Sequence, residues 1–148
     1  MYPSDINNPD LVDVSLAVRL TGSSSELLMW AKQITDSAVL VGTSVDIYTL
    51  TGTFATFPDN SIDIYYRPLE CKYPPLTCDA EAWGGNVYYL ANDGWRLINA
   101  SGSNPSLISP NLDRLYRGET IGVYTAPNLK VIPRSVRFPI VIAKNKMW

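Results

Sequence analysis

Val39-Leu40-Val41-Gly42-Thr43-Ser44-Val45-Asp46-Ile47-Tyr48-Thr49-Leu50 and, further along, Val87-Tyr88-Tyr89-Leu90-Ala91-Asn92-Asp93-Gly94-Trp95-Arg96-Leu97-Ile98 decide how this chain is read. Each is an apolar run, a polar break and a second apolar run, the pattern of two strands joined by a hairpin. Moving the first stretch along by 48 places, Val39 onto Val87, also sets Leu40 on Tyr88, Val41 on Tyr89, Ile47 on Trp95 and Leu50 on Ile98 without a gap. A repeat of about fifty residues holding about four short strands marks β-propeller blades, small twisted sheets whose faces are buried only against neighbouring blades. The fold class that follows is all-β: antiparallel four-stranded meanders resembling β-propeller blades, an incomplete propeller, with one short helix.

Outward from these stretches the alternation continues. Leu27 to Ile34 and Ala38 to Gly42 flank the polar turn Thr35-Asp36-Ser37, and Asp46 to Leu50 follows Thr43-Ser44. Thr53 to Phe57 and Ile62 to Arg67 read as strands around Pro58-Asp59-Asn60-Ser61, with Ile62, Ile64 and Tyr66 on one face. The stretch from Pro68 to Pro75 cannot donate a full ladder and reads as a crossing between two sheets. Ala80 to Trp83 and Asn86 to Ala91 flank Gly84-Gly85, and Asn92-Asp93-Gly94 leads into Trp95 to Asn99. Upstream, Val12, Val14, Leu16 and Val18 alternate with Asp13 and Ser15 as a further strand.

Downstream, Ser109 is placed to cap a short amphipathic helix over Pro110 to Arg117, with Leu112, Leu115 and Tyr116 on one side and Gly118 behind it. Gly122-Val123-Tyr124 and Ile132 to Ala143 return to strand composition, with Lys144-Asn145-Lys146 as a hairpin tip. The chain divides into blade-like units over about 26–70 and 71–118 and a partial unit over 119–148. Reaching Met147-Trp148 within a strand pattern, it reads as a piece of something longer, because a propeller left open there has unpaired edges.

Composition narrows the function. The 148 residues, 46% of them hydrophobic, suffice for a packed core. Twelve basic and fourteen acidic residues give a net charge of −2, and no dense Lys or Arg run offers a phosphate stripe, which disfavours a dedicated nucleic-acid reader. No apolar run approaches the roughly 20 residues that span a bilayer, and the first residues show no basic segment ahead of an apolar one. Histidine is absent, which removes the commonest general base and the commonest metal ligand. Cys71 and Cys78 provide two of the four ligands of a structural zinc and read as reduced, partly buried thiols. No cofactor, metal or catalytic residue is expected, and the chain reads as non-enzymatic.

The remaining motifs are turns. Asn92-Asp93-Gly94-Trp95 shares an Asp, a Gly and an aromatic with the Asp-box of sialidase-like propellers, but at different spacing, and reads as a hairpin. Arg67, Arg96, Arg114 and Arg117 are dispersed, as surface-solvating arginines are. Glu70, Glu81 and Glu119 each stand alone near predicted loops, and Asp5, Asp10 and Asp13 do not fit a calcium loop. Gly84-Gly85 belongs to no phosphate-binding pattern. Nine Tyr and four Trp suit large buried or interfacial faces. The residues expected at subunit contacts are Trp83, Trp95, Asn111, Asp113, Arg114 and Arg117.

Trp30-Ala31, Ile34-Thr35-Asp36-Ser37-Ala38-Val39-Leu40-Val41-Gly42-Thr43, Asp46-Ile47-Tyr48 and Leu50-Thr51-Gly52 resemble the opening blade of the tail-nozzle, or packaged-DNA stabilisation, proteins of short-tailed bacteriophages. Gly85-Asn86-Val87-Tyr88-Tyr89-Leu90-Ala91-Asn92-Asp93-Gly94 with Ile108-Ser109-Pro110 is similar to them too. The likeness runs from about Asp13 onward and rests on turns and strands. It implies a virion tail protein assembled in the host cytoplasm. It also implies a hexameric homo-oligomer contacting other tail and head-tail adaptor proteins, with packaged DNA passing through the lumen without sequence-specific binding. Family members are several times longer, so the resemblance corresponds to a short relative or part of such a protein. The alternative is a carbohydrate-binding propeller fragment, receptor-binding or sialidase-like; an enzyme using Tyr or carboxylates lacks a nameable acid or base partner.

Overall fold

A computed structural model of the protein describes residues 25–53, 63–99, 101, 105–125, 140, 142–143 and 146–147. The strand expected over Leu11 to Val18, the turn Pro58 to Ser61, the acids Asp5, Asp10 and Asp13, and most of Ile132 to Ala143 lie outside those residues. Strands β1 (Leu28–Thr35), β2 (Ala38–Thr43), β3 (Ile47–Thr53) and β4 (Asp63–Pro68) form one antiparallel sheet in chain order. A second such sheet holds β5 (Ala80–Trp83), β6 (Asn86–Ala91), β7 (Gly94–Asn99) and β8 (Ser106–Leu107). One helical turn, α1 (Asp113–Tyr116), precedes two short antiparallel pairs, β9 (Thr120–Ile121) with β10 (Tyr124–Thr125) and β11 (Ile142–Ala143) with β12 (Lys146–Met147).

The repeat seen in the sequence is a repeat of strand register. Ala38 lies opposite Thr51, Val39 opposite Leu50, Leu40 opposite Thr49, Val41 opposite Tyr48 and Gly42 opposite Ile47. Shifted by the same 48 places, Asn86 lies opposite Asn99, Val87 opposite Ile98, Tyr88 opposite Leu97, Tyr89 opposite Arg96 and Leu90 opposite Trp95. The outer strands depart from it. β1 carries a register shift between Gln33 and Thr35, and β8 reaches its partner by a shorter connection, placing Ser106 opposite Leu97 where the first sheet places Arg67 opposite Thr49.

The sheets stack with unlike faces together. Side chains alternate across a strand, so Trp30, Leu40 and Ile47 share one face of the first sheet while Val41, Tyr48 and Leu50 share the other. Trp30, Leu40 and Ile47 pack into one core with Ala80, Val87, Tyr89, Ala91 and Ile98 of the second sheet. Those second-sheet residues are the register equivalents of the first sheet's opposite face. Equivalent faces therefore point the same way, as in successive propeller blades, and β1 lies against β5 and β6. Leu40, Ile47, Val87 and Tyr89 are wholly buried, and each such aliphatic side chain contributes about 1.5–3 kcal/mol. Gly42 makes this packing possible: a Cβ there would stand 2.3 Å from the Trp30 ring and 2.8 Å from Pro75. The Trp30 and Tyr89 rings meet at 5.7 Å, tilted by 45°.

The proline-rich stretch is the crossing between sheets that its composition predicts, and Asp46 ties it down. Its carboxylate accepts the Ile47 N–H at 2.7 Å, the Cys71 N–H at 2.6 Å and the Glu70 N–H at 3.1 Å. Glu70 has φ +51°, uncommon for a residue with a side chain, and the bond from its N–H helps hold it there.

Three local expectations change. The helix is one turn, Asp113–Tyr116, not Pro110 to Arg117, and Ser109 does not cap it: the Ser109 hydroxyl accepts the Trp95 N–H at 3.2 Å instead. Gly118 does end it, its N–H donating to the Leu115 carbonyl at 2.8 Å. Thr53 closes β3 instead of opening a new strand, and Gly122-Val123 is the turn between β9 and β10.

Candidate subunit-contact surface

The two tryptophans expected at contacts stand at opposite ends of the second sheet. Trp83 pairs with Asn86 across the Gly84–Gly85 turn and is 45% exposed. Trp95 lies beside the Asn92–Asp93 turn, opposite Leu90, and is half-buried. Its equivalent in the first sheet, Ile47, is fully covered by the second sheet. Trp95 and Tyr88 thus occupy the face that, in the first sheet, receives a neighbouring sheet. Both are half-buried there.

Trp95 is also fixed to the segment leading into α1. Its carbonyl accepts the Ile108 N–H at 2.8 Å while its own N–H donates to Ser109. Around α1, Arg114 Nε donates to Glu119 Oε2 at 2.7 Å and Arg117 pairs with Asp113, so these charges are satisfied within the turn. Asn111 is exposed beside them. The predicted contact residues Asn111, Asp113, Arg114 and Arg117 therefore come together, Trp95 joins them through Ser109, and Trp83 does not.

What the sequence reading missed around this site is apolar. Ile108 and Leu112 are exposed, and at the β9–β10 hairpin Val123 is 89% and Tyr124 72% exposed. These two had been read as strand, where alternation would have buried one of them; at a two-residue turn neither has a sheet face to enter. A second exposed apolar group, Leu27, Leu28 and Val45, gathers at the β2–β3 turn, where the Ser44 N–H donates to the Leu27 carbonyl at 2.8 Å. By register, that turn is the equivalent of the Asn92–Asp93 turn beside Trp95.

Arg96 corrects the view of dispersed surface arginines. It is 5% exposed, Nε donates to Asp93 Oδ1 at 2.9 Å, Nη2 reaches the other carboxylate oxygen, and Nη1 donates to the Pro105 carbonyl. Its guanidinium lies 3.4 Å from the centre of the Tyr73 ring. The adjoining Tyr89 hydroxyl donates to the Tyr73 carbonyl at 2.9 Å and lies 3.8 Å from Cys71 Sγ. Burial pushes the Tyr89 and Cys71 pKa values up, so both stay protonated. Asp93, the acid of the Asp-box-like turn, thus serves as the counter-ion of a buried arginine. Glu81 is likewise no solitary loop acid: it lies on β5 and pairs with Lys32 of β1 at 3.4 Å. Cys71 and Cys78 are free thiols, one buried and one half-buried.

Among the described residues no three His, Cys, Asp or Glu side chains gather as a metal site, and no helix is long and apolar enough to cross a membrane. No family model, curated protein or solved structure matches the chain.

Proposed function

We propose that this protein is a structural component of a phage tail nozzle, contributing propeller-like sheets to a tube that retains and passes packaged DNA. The observation that carries the reading is the head-to-tail stacking of the two sheets in a shared register. It gives the chain a receiving face at Tyr88 and Trp95, and the residues that follow leave Ile108, Leu112, Val123 and Tyr124 exposed beside it. Aromatic and aliphatic residues rimmed by arginine are what subunit interfaces use, and stable ones bury on the order of 1,200 Å2 or more. The strand-and-turn resemblance to nozzle proteins supplies the particular assembly, a homo-oligomeric virion tube.

Sedimentation velocity at low micromolar concentration, followed by negative-stain microscopy of the fastest species, tests it. The expected result is a discrete ring-forming oligomer that Val123→Asp with Tyr124→Ser dissociates. A compact monomer at every concentration, unfolding cooperatively, overturns the reading.

A further inference from the structure

We propose that the groove beside Trp83 is a binding site for one neutral pyranose ring. It lies at the end of the second sheet away from α1, between the bulged end of β1 and the β5–β6 turn, and holds about 250 Å3. That is below the roughly 300–1,000 Å3 of sites for drug-sized ligands, and limits the occupant to about one ring. Trp83 forms one wall, nearly half exposed, and offers a flat π surface with an indole N–H at its edge. Ile34 adds an apolar contact. Gln33 and Asn86 bring side-chain amides to the same groove, each able to donate and accept, as paired sugar hydroxyls require. Asn86 Nδ2 is held by the Gly84 carbonyl at 3.1 Å, which orients the amide.

The turn itself keeps the groove open. Gly84 and Gly85 have φ +58° and +75°, the two positive values of a type I′ hairpin, and a Cβ at either would meet no atom within 4 Å. A turn that needs positive φ is met as well by Asn-Gly as by Gly-Gly; here the pair leaves bare backbone facing the tryptophan. Charge argues for a neutral ligand. The lining residues carry none, and the nearest charges, Lys32 and Glu81, one residue from Gln33 and Ala82, neutralise each other. A pyranoside with its C–H bonds grouped on one face, such as a β-galactoside or β-glucoside, lays that face on the indole and turns its hydroxyls to the amides. The site is independent of the tail-tube reading, since it lies away from the α1 surface and its test does not involve assembly.

The probes are methyl β-D-galactopyranoside and methyl β-D-glucopyranoside, with D-glucuronate as the charged control, followed through the indole N–H signals by NMR. The expected result is a saturable shift of the Trp83 signal by at least one of the two glycosides, with a dissociation constant on the order of 1 mM, as a ligand of this size allows. Trp83→Ala should abolish it, Trp83→Phe should retain weakened binding, and Gln33→Ala with Asn86→Ala should weaken it about tenfold, circular dichroism confirming an unchanged fold. Three outcomes overturn the site: no saturable shift with either glycoside, equal binding by wild type and Trp83→Ala, or preference for glucuronate.

Discussion

Where the first sheet sets Val41 opposite Tyr48, the second sets Tyr89 opposite Arg96 at the same register. The first pair packs with Leu50, Val39 and Ile64, and the Tyr48 hydroxyl reaches Glu26 at 3.3 Å. The second lies in the core between the sheets, where the guanidinium must be neutralised on the spot by Asp93, the Pro105 carbonyl and the Tyr73 ring. The turns differ in the same manner. Thr43 and Asp46 bind one turn to its flanks by side chains, while Ala91 and Gly94 stand at the equivalent places of the other. The repeat thus fixes backbone register and a minimum of apolarity, and each unit adds its own polar ties where its surroundings demand them.

The largest effect expected from that difference is at Arg96. Arg96→Ala strips the Asp93 carboxylate and the Pro105 carbonyl of their partner in a buried setting, and breaking such a pair from one side costs about 3–5 kcal/mol. Tyr48→Phe, at the equivalent place, removes one hydroxyl interaction and should cost about 1 kcal/mol. Urea unfolding midpoints of the two variants compare them directly. Equal losses would mean that Arg96 contributes no more than its hydrocarbon stem.

Next comes the asymmetry of the faces. Leu40→Ala should cost about 2–5 kcal/mol, since Leu40 is wholly buried between the sheets. Tyr88→Ala, at its equivalent, should cost less than half as much in the isolated chain because Tyr88 is only half-buried. In an assembly that covers the Tyr88 face, the second loss should rise toward the first. An unchanged loss there would count against that face as a docking surface.

How far the sequence could be read follows from the same distinction. Strands β5, β6 and β7 match the runs Ala80 to Trp83, Asn86 to Ala91 and Trp95 to Asn99 almost residue for residue, because alternation and Gly-rich turns are local signals. The helix was overread because Ser109 and Pro110 form a capping pattern, yet the Ser109 hydroxyl is taken by the Trp95 N–H, a long-range bond that no local pattern reports. Arg96 was invisible for a similar reason. An arginine between Trp95 and Leu97 alternates like a solvent-facing residue, and only the stacking of the second sheet on the first turns its face inward. Of the contact surface, the charged residues near α1 were legible, while Val123 and Tyr124 were mistaken for strand.

A smaller effect is expected at Asp46, the tie particular to the first sheet. Asp46→Ala frees the N–H groups of Ile47, Glu70 and Cys71 and should cost about 1–3 kcal/mol. Hydrogen exchange gives the sharper reading: the crossing segment after β4 should lose protection while β6 and β7 keep theirs. Loss spread evenly over both sheets would show that the clamp is not local to its crossing.

The smallest effect is a difference in alkaline stability between the two sheets. Tyr89 has its pKa raised above the ordinary 10.0, first by burial and then by neighbouring Cys71, and Tyr48 is raised by burial and by Glu26. A raised tyrosine pKa means that the folded chain keeps a proton which the unfolded chain releases. The folded state is therefore at no disadvantage below the ordinary tyrosine pKa, and stability falls as pH climbs above it, by at most about 1.4 kcal/mol per pH unit for each such group. Tyr89→Phe should cost about 1 kcal/mol at pH 7, where its hydroxyl bond to Tyr73 is lost. Above pH 10 the deficit relative to wild type should shrink, since the variant has no phenol to protect from ionisation. Tyr48→Phe should show the same trend more weakly, because Tyr48 keeps some exposure while Tyr89 has none. Urea unfolding between pH 7 and about pH 11 measures both differences. A Tyr89→Phe deficit that stays constant across that range would mean that Tyr89 ionises as readily in the folded chain as in the unfolded one, and that the core between the sheets is open to water.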